Sequence, residues 1–227
     1  MYKEVFEKLA QHYSAGHYET EYRESRQNYF NLIGSFGEDE EFFENQMTRF
    51  LEWYLLDRVM DSTGIPPCRL YRLAYSEKLT QEERTVLLAM ETSRHSLFQV
   101  KAPSNGGTFV IDLLNHHEES FLKDQSYPEF RTTDLIDARV YELDGARYFS
   151  DSAWMFPSEM KGWIIDTVRK YFKGDRHQFL IDLAYMKSKR DRFQHVPFDQ
   201  IFQWEQISKD RELYIKTKGK IKSAQKN

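Results

Sequence analysis

Apolar residues recur at intervals of about one helical turn through the first hundred positions. Val5, Phe6, Leu9 and Tyr13 share one face of residues 2–13, and Tyr22, Tyr29, Phe30 and Ile33 share one face of residues 19–33, the spacing of amphipathic helices. The acidic run Glu38-Asp-Glu-Glu stands where carboxylates favour the positive end of a helix dipole, so a third and longest helix is predicted over 39–60. Its stripe of Phe43, Met47, Phe50, Leu51 and Tyr54 is widened by Trp53, Leu55 and Leu56 until the second half is apolar nearly all round, which marks it as the central helix of an N-terminal domain. Gly64-Ile-Pro-Pro-Cys68 ends it, because consecutive prolines cannot donate and Ile65 is pushed to extended geometry. A short helix from about 68 to 76 and another from about 81 to 93 follow. The second is opened by Thr80-Gln-Glu-Glu83, a capping box in which the hydroxyl and the Glu83 carboxylate each accept a backbone N–H.

The period then changes. Residues 96–101 and 108–114 are strand-like runs separated by Pro103-Ser-Asn-Gly-Gly107, which is turn chemistry. A further strand is predicted near 118–124. Asp144-Gly145 is a preferred two-residue turn, and pairing across it sets Glu142 opposite Arg147 and Val140 opposite Phe149. These runs predict a small five-stranded antiparallel β-barrel, SH3-like or OB-like. After Pro157, residues Met160, Trp163, Ile164, Val168, Tyr171 and Phe172 repeat at helical intervals up to Gly174, and helices are predicted at about 176–192 and 198–213. The fold class is therefore α+β: a helical domain over 1–94, the barrel over 95–156, C-terminal helices over 157–213 and a basic tail over 214–227.

Composition adds one asymmetry and one exclusion. Net charge is −4 over 227 residues, yet residues 1–160 carry −12 and residues 161–227 carry +8, so an acidic body with a basic end can offer that end to an anionic partner. The plainer reading is that these cations solvate helix faces and a tail. Residues 216–227 hold five lysines, with Ile221 their one large apolar residue, and are expected to be mobile unless bound. Cys68 is the single cysteine, which excludes an intrachain disulfide framework and a four-thiolate zinc site. A reducing compartment follows as the expectation. The charged N-terminal segment does not read as a signal peptide, and no apolar run approaches the length of a membrane span, so a cytoplasmic location without membrane insertion is expected.

Taken in order, Phe50-Leu-Glu-Trp-Tyr-Leu-Leu-Asp57, Gly64-Ile-Pro-Pro, Leu79-Thr-Gln-Glu-Glu-Arg84, Ser96-Leu-Phe-Gln-Val100, Ile111-Asp-Leu-Leu114 and Asp134-Leu-Ile-Asp-Ala-Arg139 resemble a group of uncharacterised bacterial proteins, some of which carry a SEC-C zinc motif. The resemblance covers roughly residues 40–155 and implies an architecture without naming a reaction. Cys68 stands alone here, so metal-dependent partner binding does not carry over, and neither a metal nor another cofactor is expected.

Candidate chemistry is sparse. Asp57 and Asp61 lie four apart on the long helix, as acid–base carboxylates can, but a helix-end ion pair explains them as well. His116 and His117, beside Asp112, Glu118 and Glu119, have ligand chemistry, but neighbouring strand residues point to opposite faces and an exposed turn is the simpler reading. Cys68 reads as a buried structural thiol. No Gly-x-Ser-x-Gly, phosphate-cradling glycine loop or His-Glu-x-x-His occurs. The candidate binding residues are therefore Lys187, Lys189, Arg190 and Arg192 on the C-terminal helices, with Arg139, Tyr141 and Tyr148 on one face of the second hairpin. They lead to a non-enzymatic binding or adaptor protein contacting an anionic partner, an unknown protein or nucleic acid, through its basic C-terminal region. A nucleic-acid-associated protein is the alternative, and an enzyme whose site assembles from scattered residues is the third reading. A flat, basic, aromatic face would favour nucleic acid. A pocket lined by several titratable groups would favour the enzyme.

Overall fold

Helix α1 (Tyr2–Tyr13) buries Val5, Leu9 and Tyr13, and α2 (Glu19–Ile33) buries Tyr29, Phe30 and Ile33, so both present the faces that the apolar spacing marks. The structure, a computed structural model, describes residues 1–34, 43–104, 107–122 and 130–210. The acidic run from Glu38, the tip of the first hairpin at 105–106 and the basic tail lie outside the described residues. Of the long helix predicted over 39–60, α3 (Phe43–Glu52) is followed by a π turn over Trp53–Asp57. The Arg58 N–H closes that turn on the Trp53 carbonyl at 2.8 Å. Then come α4 (Pro67–Ala74) and α5 (Gln81–Glu91), the latter opened by the capping box, with Glu83 N–H donating to Thr80 Oγ1 at 3.1 Å and Thr80 N–H to Glu83 Oε2 at 2.9 Å.

The middle of the chain forms antiparallel strands β1 (Arg94–Ser104), β2 (Gly107–Asp112), β3 (His117–Leu122), β4 (Leu135–Leu143), β5 (Ala146–Phe149) and β6 (Trp154–Met155). Their order is β3-β2-β1-β4-β5, with β6 continuing along the β4 edge that β5 begins. Asp144 and Gly145 have φ of 53° and 75°, the doubly positive turn that suits a two-residue hairpin, and the expected pairs Glu142–Arg147 and Val140–Phe149 form. Among the described residues no ladder joins β3 to β5. The expected barrel is thus corrected to an open sheet, one face of which is covered by helices. Cross-strand pairing puts His95 beside Arg139 and Leu97 beside Asp137 on that covered face. Phe98, Val100, Val110, Ile136, Ala138, Val140 and Phe149 fill the opposite one.

Helices α6 (Lys161–Tyr171) and α7 (Arg176–Arg192) follow, and α7 has the bounds that the sequence predicts. The helix predicted over 198–213 is instead broken at 202–203, between α8 (Phe198–Ile201) and a 3₁₀ turn at Trp204–Gln206. Phe202 and Trp204 both pack on Trp163, at 4.6 and 6.0 Å between ring centroids. Residues two apart on a straight helix point in different directions, so the break is what lets both rings reach one partner. The core of α1 to α5 also takes in Trp154, Ile181 and Ala184, so α7 and the end of the sheet close the helical half. Among the described residues no helix is long and apolar enough to cross a membrane.

Candidate functional site

On α3 a buried polar line runs through a mostly apolar helix. Gln46, Arg49 and Glu52 are all buried, and their spacing of three puts them on neighbouring turns of one side. The π turn extends the line. An α-helix would rotate Asp57 well away from Glu52, whereas a turn closed by an i to i+5 bond carries five residues and returns them to the same side. Both carboxylates therefore meet Arg139 of β4: Asp57 Oδ2 bonds Nη2, and Glu52 Oε2 lies 3.5 Å from Nε. The Arg139 Nη1 donates to Ser93 Oγ at 3.0 Å.

Two residues back along the same face of β4, Asp137 is fully buried. It accepts from Arg49 Nη2 at 2.7 Å on one oxygen and bonds His95 Nε2 with the other. Burial alone would raise its pKa, but Arg49 and His95 outweigh burial and hold it below the ordinary carboxylate value. The turn between β5 and β6 supplies the next contacts. Ser152 Oγ donates to Glu52 Oε2 at 2.6 Å, and the Ser152 carbonyl accepts from Arg49 Nη1 at 3.2 Å. Trp154 is the floor, with the Arg49 guanidinium 4.9 Å and the Lys187 ammonium 3.8 Å from its ring centroid, distances at which the ring face attracts cations.

These groups back a cleft of about 20 Å³ lined by Glu52, Trp53, Asp57, His95, Arg139 and His177, with Leu180, Ile181 and Ala184 of α7 as its apolar wall. The space admits about one water molecule. Asp57 is 32% and His95 26% exposed by side chain, against 2% for Arg139, so the first two are the groups that the opening presents. Trp53 Nε1 donates to His177 Nε2 at 3.0 Å. Loss of water around the His177 ring pushes its pKa below the ordinary value, Asp57 opposing and His95 adding to the effect. The arrangement offers acceptors at Asp57 and His95. It also places an imidazole, oriented by a buried carboxylate, where it can take a proton.

Of the residues singled out from the sequence, Asp57 and Arg139 line the cleft and the others fall elsewhere. Arg139 lines the cleft, but as a buried cation tied to Asp57, which corrects its reading as a barrel-surface residue. Tyr141 and Tyr148 do share its face, stacked at 5.4 Å, yet Tyr2 of α1 stacks on Tyr141 at 4.0 Å and covers it. Lys187 is buried, 2.9 Å from Asp191, and burial lowers its pKa. Lys189 pairs with Asp210 at 2.6 Å, and Arg190 donates to the Gln194 carbonyl at 2.7 Å with Glu159 at 3.5 Å. Arg192 lies against Gly34, whose φ is +89° and where a Cβ would come within 3.3 Å of the guanidinium. The expected exposed cationic face of α7 is therefore corrected: its cations are turned inward or paired within the fold.

His116, with φ of 60°, and His117 are exposed beside the turn from β2 to β3. Among the described residues no group of three His, Cys, Asp or Glu side chains could hold a metal. Asp61 faces Arg58 at 3.2 Å and is 89% exposed, apart from Asp57. The Cys68 thiol is buried against the Leu87 carbonyl, and burial pushes its pKa up to about 12.

No curated protein and no solved structure matches the chain. One family model does match, over residues 2–179, so that it spans the helical half, the sheet, α6 and the start of α7 where His177 stands. The chain belongs to that family, described as a family of unknown function, DUF7986.

Proposed function

We propose that this is a binding protein whose cleft between the π turn, β1, β4 and α7 takes a small polar ligand rich in hydrogen-bond donors. The observation that carries the reading is convergence: Asp57, His95, Arg139 and His177 come from four separate elements to one opening, and His95 is backed by the Asp137–Arg49 pair. At the mouth the exposed groups are the Asp57 carboxylate and the His95 ring, which offer acceptors, while the guanidiniums of Arg49 and Arg139 are buried behind them. Turnover, if the ligand is a substrate, would use His95 as the base and Asp137 as its positioning residue. The test is a ¹H–¹⁵N spectrum of the His95 imidazole, with thermal denaturation, in the presence of millimolar methylammonium, acetate, inorganic phosphate or imidazole. A donor such as methylammonium should shift His95 and raise Tm, and Asp57→Asn should abolish both effects. Silence from every probe in a folded protein would end this reading.

A second reading is favoured by where the charge lies. Residues 211–227 hold six Lys and Arg against one Glu, while Lys187, Lys189 and Arg190 are already paired. A binding or adaptor role toward an anionic partner, an acidic protein or a nucleic acid, would thus fall to the last residues of the C-terminal region. A reducing, cytoplasmic setting belongs to the same proposal and is supported by the single, buried Cys68.

A further inference from the structure

His177 sits at the second position of α7, behind the N-cap Asp175 whose side chain accepts from the Gln178 N–H. Its ring lies nearly parallel to the Trp53 indole, at 12° and 6.2 Å between centroids, and accepts the indole N–H at 3.0 Å. A neutral imidazole accepts at one nitrogen and donates at the other, so the proton of His177 is on Nδ1. An imidazolium has two donors and no acceptor. Protonation would therefore set one N–H against another and remove the bond. Both rings line the cleft, which holds about 20 Å³, so a ligand larger than water fits between them and the Asp57 and His95 side chains only when that space widens.

We infer that the Trp53–His177 pair is a proton-operated latch over the cleft, shut while His177 is neutral and released when it is charged. The inference rests on the reading of the cleft as a binding site and adds its regulation. The charged and titratable groups that face His177 are Asp57 from the π turn, His95 from β1, Arg139 from β4 and Asp175 from its own N-cap. The carboxylates favour the imidazolium; Arg139, and His95 when protonated, oppose it. Desolvation opposes it too, and the balance keeps the ring neutral to a lower pH than a free imidazole. A released His177 has Asp57 and Asp175 to turn toward, so the charged state has its own partners. The π turn suits the moving part, since Trp53 is its first residue and such turns recur at functional positions.

The test uses the full chain without ligand. Indole N–H exchange is followed by ¹H–¹⁵N NMR from pH 8 to 5, with Trp53 assigned by Trp53→Phe and the indoles of Trp163 and Trp204 as internal references. Exchange at Trp53 should rise about five- to tenfold relative to the references, the factor that a lost hydrogen bond allows. It should do so with the midpoint at which the His177 nitrogens titrate. His177→Phe should give the fast value at every pH, and His177→Gln, which keeps an acceptor oxygen and cannot titrate, should remove the pH dependence. Trp53 exchange that follows the references through the His177 titration, or that His177→Phe leaves slow, would overturn the latch. The two readings fail separately: a working latch with no probe bound at pH 5 leaves the gate and removes the ligand reading, whereas probe binding that is independent of pH leaves the ligand reading and removes the gate.

Discussion

Glu52 and Asp57 meet at one guanidinium, that of Arg139, because the chain between them turns as a π turn instead of an α-helix. The turn is what joins the α3 helix to the sheet, since Arg139 and its neighbour Asp137 are the buried polar residues of β4. Asp137 then reaches back to Arg49 on the same helix. Three ion pairs thus span the helix–sheet boundary, and each side chain depends on the others for its compensation.

Removing one member should therefore cost far more than an exposed ion pair would. Asp137→Asn leaves Arg49 buried with its main anion gone, and a broken buried pair costs about 3–5 kcal/mol. Urea unfolding followed by circular dichroism should show that loss, while Asp61→Asn, on an exposed carboxylate, should stay within about 0.5 kcal/mol of the parent. Equal effects from the two changes would mean that the Asp137 network does not hold the layers together.

Little of this network is legible from spacing alone, and the reason is physical. Periodicity detects apolar faces, so it finds α1, α2, α6 and the Asp144–Gly145 hairpin, whose burial or turn chemistry is local. A charged residue at a buried position looks the same in sequence as one in water until its partner is known, and the partner of Arg49 lies 88 residues away. The signal that could have been used was Asp137 and Arg139 alternating on a strand that is buried on both faces, beside a helix with Arg49 and Glu52 in its apolar half. The π turn has no comparable signature. The lysines of α7 misled for the converse reason: on the sequence they form a basic run, but Lys187 faces the interior and Lys189 and Arg190 each have an acidic partner.

The pH dependence of stability should have two limbs. The pKa of Asp137 is lower folded than unfolded, so its contribution is present above the unfolded value of about 3.9 and is lost as pH falls through the folded one. His177 and His12, both lowered chiefly by desolvation, bind protons more readily in the unfolded chain. Their contribution is complete above about 6.5 and declines as pH drops below that value toward the folded pKa. Stability measured from pH 8 to 3 should decline gently below pH 6.5 and steeply at the acid end. His177→Gln should flatten the first limb and leave the second, and a first limb unchanged in both His177→Gln and His12→Gln would count against this assignment.

Cys68 should be inert while the protein is folded. Its thiol is buried, and a pKa near 12 leaves almost no thiolate at neutral pH. A chromogenic disulfide reagent should react with less than one equivalent over hours in buffer, and promptly with one equivalent in urea. Rapid native modification would show that the segment around α4 opens independently of the rest.

The charge of the C-terminal region leads to the last expected outcome. Residues 216–227 hold one large apolar residue, Ile221, so their removal should cost little hydrophobic stabilisation. A chain ending at Ile215 should keep its stability within about 1 kcal/mol. It should nevertheless lose affinity for polyanions, because five lysines are removed and each lysine that contacts a phosphate releases counterions. Titration with fluorescent single-stranded RNA, single-stranded DNA and duplex DNA should show binding by the full chain that falls steeply between about 50 and 200 mM salt. Truncation should weaken all three alike, whereas Tyr141→Ala and Tyr148→Ala should do little, since Tyr2 already occupies the face of Tyr141. Binding that survived truncation but vanished with the tyrosines would put a nucleic-acid surface on the sheet, where α1 would have to move aside. No binding at the lower salt would remove the nucleic-acid partner and leave an acidic protein as the counterpart to seek.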